Sequence, residues 1–238
     1  MLQPHLRLLS PGDDFPPTSE ALDYPNGLLA VGGDLTPASL TRAYSRGIFP
    51  WYQGDEPVLW WSPDPRSVLF PEDLHISRSL RKILRRDEFQ LSCDQRFRAV
   101  ITACSDSRQE LEGTWITSEM CEAYCEMHRR GMAHSIEVYQ KGHLVGGLYG
   151  LALGGAFFGE SMFSRVTDAS KVALVALVHR LRQSRFRLID CQVESEHLNS
   201  LGARNLSRLD FERELAQTVG DEAASNDWSL PPSCGGLL

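Results

Sequence analysis

The spacing of apolar positions changes along the chain, and the change predicts its elements. Residues 1–66 hold only short apolar pieces: GLLAVGGDL (27–35), AYSRGIFPW (43–51) and VLWWSPDPR (58–66). Pro and Gly separate them, the pattern of a small domain of turns and short strands, with one helix over 37–46. Beyond residue 66 the periods lengthen. Helical spacing predicts helices over 77–86, 95–104, 117–130, 168–183 and 208–218, and apolar runs predict strands over 134–139, 143–150, 155–160 and 186–193. Helices mixed with consecutive strands point to an α/β or α+β domain with a mixed sheet over 67–219, with α+β the expected class. The polar, Pro- and Gly-rich residues 220–238 read as a frayed, flexible tail, and no internal repeat is visible.

One run tests this reading. LVGGLYGLALGGAFFG (144–159) is uncharged and carries GxxxG spacings suited to a membrane helix pair. Its 16 residues are too few to span a bilayer comfortably, and six glycines weaken a helix. Alternating large and small residues fit a tightly packed hairpin better. The first 17 residues lack the apolar core of a secretory signal, so a cytoplasmic protein without membrane association is expected. A hydrophobic share of 42% and a charged share of 23% exclude wholesale disorder. A chain of this length buries roughly 70% of its unfolded surface and needs no staple. The six cysteines form no CxxC pair. Cys121, Cys125 and His128 share a predicted helix face but lack a local fourth ligand, so no metal is expected.

The net charge of −7 conceals two basic islands. Residues 76–98 carry seven basic and three acidic side chains, and residues 171–187 carry five basic and none acidic. In the first, Arg78, Arg81, Lys82, Arg85 and Arg86 fall on one helix face, with Ile76, Leu80, Ile83 and Leu84 opposite. Like charges at this spacing repel. Five without an interleaved acid point to a polyanion partner rather than to an ordinary solvated face. The second island is weaker, because Arg180 to Arg187 could simply flank a buried strand.

Two segments hold the densest chemistry. In GESMFSR (159–165), Glu160 follows a long apolar strand; in RLIDCQV (187–193), Asp190 and Gln192 project from the same face as Leu188. Buried polar groups of this kind cost several kcal/mol unless paired. Two acids flanking an amide in one cleft could bind a cation or handle a proton. Aromatic residues in loops, Trp51, Trp60, Trp61 and Trp115, could close an apolar pocket, and Phe157 and Phe158 beside Glu160 favour that over a simple core role.

FPPTSEAL (15–22), GLLAVGGDL, SRGIFPW, WWSPDPR, TWIT, GESMFSR, ASK (169–171), LIDCQV and HLNSLGA (197–203) occur in the order seen in bacterial leucyl/phenylalanyl-tRNA–protein transferases. The chain resembles that family over about residues 14 to 219. The resemblance implies a small amino-terminal domain followed by a GNAT-like acyltransferase domain. It also implies transfer of Leu or Phe, and also Met, from charged tRNA to proteins beginning with Arg or Lys, which marks them as N-degrons for proteolysis. Asp190 and Gln192 are then the catalytic residues: Asp190 holds Gln192, whose side-chain oxygen orients the attacking amine. Trp51, Trp115, Leu148, Phe157 and Leu177 surround the aminoacyl side chain, with Leu148 and Leu177 standing where Met and Phe are expected. The basic helix face is expected to hold the tRNA through phosphates. Glu160 and Asp190 form a carboxylate-lined slot for the acceptor's cation, with one acid free to orient the amide. Aminoacyl-tRNA is a substrate, so no cofactor is required, and a monomer is expected. The acetyl-CoA pyrophosphate loop of ordinary GNAT enzymes is missing before the 168–183 helix. The alternatives are a noncatalytic RNA-binding adaptor and a CoA-dependent acetyltransferase.

Overall fold

The computed structural model describes residues 6–109, 116–220 and 227–238. Strands β1 (Arg7–Leu9) and β2 (Leu28–Gly32), helix α1 (Pro37–Tyr44), and strands β3 (Phe49–Pro50) and β4 (Leu59–Trp61) come first, and the strands form a four-stranded sheet ordered β1-β2-β4-β3. Then follow β5 (Arg66–Leu69), α2 (Arg78–Arg86), β6 (Gln90–Cys93), α3 (Phe97–Gln109), α4 (Ser118–Arg129), β7 (Ala133–Gln140), β8 (His143–Leu153), β9 (Ala156–Ser164), α5 (Ala169–Gln183), β10 (Leu188–Gln192), α6 (Glu196–Asn199), β11 (Arg204–Leu206) and α7 (Arg208–Val219). A seven-stranded sheet runs β11-β5-β10-β9-β8-β7-β6. The expected α+β class with a mixed sheet is what the chain adopts. Helix starts follow local chemistry: the side chains of Thr36, Ser77, Thr117 and Ser207 accept backbone N–H bonds at the first turns of α1, α2, α4 and α7.

The large sheet divides the core. On one face Tyr149, Phe158 and Leu188 pack with α3, α4, α7 and the small sheet; on the other Leu148, Phe157 and Ile189 pack with α5 and α2. Helix α5 is buried nearly all round, as the apolar run over 172–178 requires.

All neighbours in this sheet are antiparallel except β9 and β10. That parallel pairing covers Leu188 to Asp190 against Ala156 to Phe158 and ends there. Beyond it β9 continues along β8 and β10 along β5, so a gap opens between them. A bulge interrupts each strand at the mouth of this gap: one in the β8–β9 register leaves Glu160 unpaired, and the other lies between Asp190 and Gln192. Bulges of this kind re-aim side chains.

Run 144–159 is the β8–β9 hairpin, as expected, although both strands extend past the predicted 150 and 160 to Leu153 and Ser164. Its glycines admit close neighbours. A Cβ on Gly150 would lie 2.2 Å from the Phe158 carbonyl oxygen and 2.6 Å from the Phe157 ring. Gly150→Ala is therefore expected to cost about 1–3 kcal/mol, and a thermal melt checks it. Among the described residues no helix is long and apolar enough to cross a membrane.

The predicted frayed tail is corrected over residues 227–238. Leu91 donates to the Pro232 carbonyl (2.9 Å), Cys234 donates to that of Phe89 (2.9 Å), and Ser233 bridges Gln90. Cys234 and Leu237 are buried, and Trp228 stacks on His134 at 3.7 Å. The segment thus covers the edge strand β6. Its apolar anchors Trp228, Leu230, Cys234 and Leu237, four within ten residues, outweigh the turn-forming composition that suggested fraying.

Candidate active site

Glu160 stands half-buried at the mouth of the gap. Tyr44, the last residue of α1, donates to its Oε1 (2.6 Å), and Tyr124, from the middle of α4, donates to its Oε2 (2.7 Å). The two phenol oxygens lie 2.5 Å apart. Burial pushes the Glu160 carboxyl up to about 7, against the pull of the donors from Tyr44, Tyr124 and Gln192, with Asp190 adding an upward push. Burial holds both phenols well above their ordinary range, so they remain protonated donors.

Asp190 lies behind this cluster. Arg66 grips it in fork fashion, Nε to Oδ1 at 2.8 Å and Nη2 to Oδ2 at 2.6 Å. Neither side chain is more than 1% exposed. The guanidinium is sandwiched between Phe49 (4.7 Å) and Phe211 (4.6 Å). Asp190 Oδ1 also accepts the Gln192 backbone N–H at 2.9 Å. This bond helps hold Gln192 at φ 64°, the left-handed region that a side chain rarely occupies. The turned backbone sends Gln192 Nε2 to Glu160 Oε1 (3.1 Å). With the nitrogen pinned, the carbonyl end of the amide is the free end, and it has no partner among the described residues.

The expected catalytic pair is therefore adjacent, but its linkage differs: Asp190 holds the Gln192 backbone, and Glu160 holds its side chain. Asp190 is corrected as an acceptor ligand. It is fully buried with both oxygens on Arg66, out of reach of an incoming cation.

The sequence model of the leucyl/phenylalanyl-tRNA protein transferase family matches residues 68–216, and that of the family's N-terminal domain matches residues 33–64. Proteins carrying that family's name from Pseudomonas entomophila (strain L48), Azotobacter vinelandii (strain DJ / ATCC BAA-1303) and Stutzerimonas stutzeri (strain A1501) are 60%, 58% and 56% identical to this chain. Each alignment spans 214 residues, 90% of this chain and 94% of the relative. This chain belongs to the leucyl/phenylalanyl-tRNA–protein transferase family.

Within this transferase the remaining expected site residues divide. Leu148, Phe157 and Leu177 come together, buried on the α5 face of the sheet. Trp51 does not join that cluster. It is 39% exposed and leans on Trp61 at 5.6 Å, its carbonyl accepting the Trp61 indole N–H at 2.6 Å. Trp115 lies outside the described residues. Arg78, Arg81, Lys82, Arg85 and Arg86 all project from α2 into solvent, while Leu80 and Leu84 anchor it. The second island is largely absorbed by the fold: Arg180 is buried, Arg182 caps the Pro71 carbonyl (2.6 and 3.0 Å), and Lys171 pairs with Asp168 (2.8 Å). Sequence reasoning missed Arg66, Tyr44 and Tyr124. For Arg66 a signal existed, since an acid inside an apolar strand demands a cation.

Proposed function

We propose that this chain moves Leu or Phe from charged tRNA to the α-amine of proteins beginning with Arg or Lys, working as a soluble cytoplasmic monomer. Membership of the family supports the transfer itself. The observation that carries the chemistry is the free amide oxygen of Gln192, fixed at the gap between β9 and β10.

An aminoacyl ester is already activated, so catalysis here is chiefly a matter of position. A protein α-amine has a pKa of roughly 7.7–8.0, and an appreciable fraction is neutral near pH 7. Gln192 Oε1 accepts one N–H of that amine and aims its lone pair at the ester carbon. Arg66 and Asp190 act through Gln192 by fixing its backbone, and Glu160 fixes its amide. The exposed cations of α2 hold the acceptor arm by its phosphates, which carry no base information. Donor choice then rests with an apolar pocket, for which the buried Leu148, Phe157 and Leu177 are the candidates.

The deciding experiment mixes an Arg-terminated peptide with labelled Leu-tRNA or labelled acetyl-CoA. Label from the tRNA alone supports the proposal. Label from acetyl-CoA alone makes the chain an acetyltransferase, and label from neither leaves a noncatalytic RNA-binding adaptor. Within the transferase reading, Val-tRNA is expected to react roughly 10- to 200-fold more slowly than Leu-tRNA, the discrimination one methylene allows. Equal rates would remove these residues from the pocket.

A further inference from the structure

We infer that Glu160 is the proton shuttle of the transfer, taking a proton from the attacking amine and returning it to the departing ribose oxygen, with Tyr44 and Tyr124 as the positioning residues that make it able to do so. The inference rests on the transferase reading above and adds a residue role to it.

A count of hydrogens carries the argument. Three oxygens, Tyr44 Oη, Tyr124 Oη and the Glu160 carboxyl, meet in three contacts of 2.5, 2.6 and 2.7 Å. O···O distances this short require a hydrogen in each contact. The two phenols supply two, and an ionised carboxylate supplies none. With both phenols turned to a carboxylate, the tyrosine–tyrosine contact would set two oxygens 2.5 Å apart with nothing between them. One proton on Glu160 completes the set: in this protonated form the Tyr124 bond reverses, Oε2–H donating to Tyr124, Tyr124 to Tyr44, and Tyr44 to Oε1. Oε1 also accepts the Gln192 amide. The ring thus takes one proton more than its carboxylate form carries.

The surroundings let the carboxyl take up and release that proton. Tyr44 faces Glu160 from α1, Tyr124 from α4, and Gln192 from β10. Tyr149 of β8 packs edge-on against Tyr124 at 5.6 Å. Among the described residues Asp190 is an acid that raises the carboxyl, and Arg66 of β5 is bonded to it. The elevated carboxyl, near 7, allows both forms at neutral pH.

The step balances without any cofactor. The neutral amine attacks the ester carbon and the C–N bond forms. One N–H proton passes to the Glu160 carboxylate and closes the ring. The C–O bond to ribose then breaks, and Glu160 returns the proton to the ribose oxygen, regenerating the carboxylate.

The test is the pH profile of kcat/KM for an Arg-terminated peptide at saturating Leu-tRNA. Two groups must be deprotonated in the wild type, Glu160 and the acceptor amine. Below about pH 6.5, log kcat/KM should therefore rise with a slope near two. In Glu160→Gln the slope should fall to one, and kcat at pH 8 should drop on the order of 10²–10⁴-fold with the peptide KM little changed. A wild-type slope of one overturns the shuttle while leaving the transferase reading intact, and this result needs no variant. A Glu160→Gln enzyme that keeps kcat but raises the peptide KM overturns it in favour of a carboxylate reading the acceptor's cation. A wild type that transfers no Leu at any pH overturns both.

Discussion

Arg66→Ala is expected to cost the fold about 3–5 kcal/mol, because it strands the Asp190 carboxylate in a fully buried position. Proteins of this kind hold only about 5–15 kcal/mol in total, so the loss is a large part of the margin. It should appear as a fall in Tm of roughly 10 °C. The same change frees the Gln192 backbone, since Asp190 would no longer be fixed to accept its N–H. A second variant separates stability from position. In Arg66→Met/Asp190→Leu an apolar pair replaces the ion pair between Phe49 and Phe211, where such swaps are neutral or stabilising. Its Tm should return toward that of the wild type while transfer stays low, because the backbone bond that helps hold Gln192 at its left-handed φ is gone. Restoration of both would make the pair purely structural. A single Arg66→Ala variant that melts like the wild type would show that Asp190 finds another partner.

What the sequence disclosed about this site follows from where the energy lies. Glu160, Asp190 and Gln192 were legible because a polar group in an apolar strand is costly and so needs a reason. Their shared face survives in the fold, since Leu188 and Phe158 lie on that side and Ile189 and Phe157 on the other. The partners were not legible. Arg66 lies 124 residues from Asp190, and Tyr44 lies 116 from Glu160. Nothing local distinguishes Tyr44 on α1 or Tyr124 on α4 from an ordinary core tyrosine. The misassignment of Asp190 to the acceptor slot has the same origin. Strand alternation reports which face a carboxylate takes, but not that a cation from β5 already occupies it. The register shift at Asp190/Gln192 is also invisible in a period-two pattern, because a bulge adds a residue without altering composition. Residues 227–238 failed in the opposite direction. Their Pro and Gly content suggested a loose end, yet Cys234 and Leu237 are buried in the core beside α2, α5 and β6, and Trp228 and Leu230 pack against it.

The helix carrying the basic face was fully legible, and it leads to the largest expected loss of substrate affinity. Arg85 and Arg86 occupy the last turn of α2 and are exposed, so reversing both to Glu leaves the Leu80 and Leu84 anchors in place. Each phosphate contact contributes a slope of about −0.9 to log K against log salt, so two lost contacts remove roughly 60-fold in affinity at 0.1 M salt. Repulsion by the new carboxylates adds to that loss. The salt slope itself should flatten by about two. Acids at a helix C-terminus oppose its dipole, at about 0.3–1 kcal/mol each, so some drop in Tm accompanies the reversal. Arg85→Gln/Arg86→Gln removes that complication: it should flatten the slope equally, lose less affinity and melt close to the wild type. Charged-tRNA binding titrated across salt for both variants checks this, with uncharged tRNA alongside to confirm that the aminoacyl group plays no part in the loss. An unchanged slope in both would leave the five cations as a solvated face and send the acceptor arm elsewhere on the molecule.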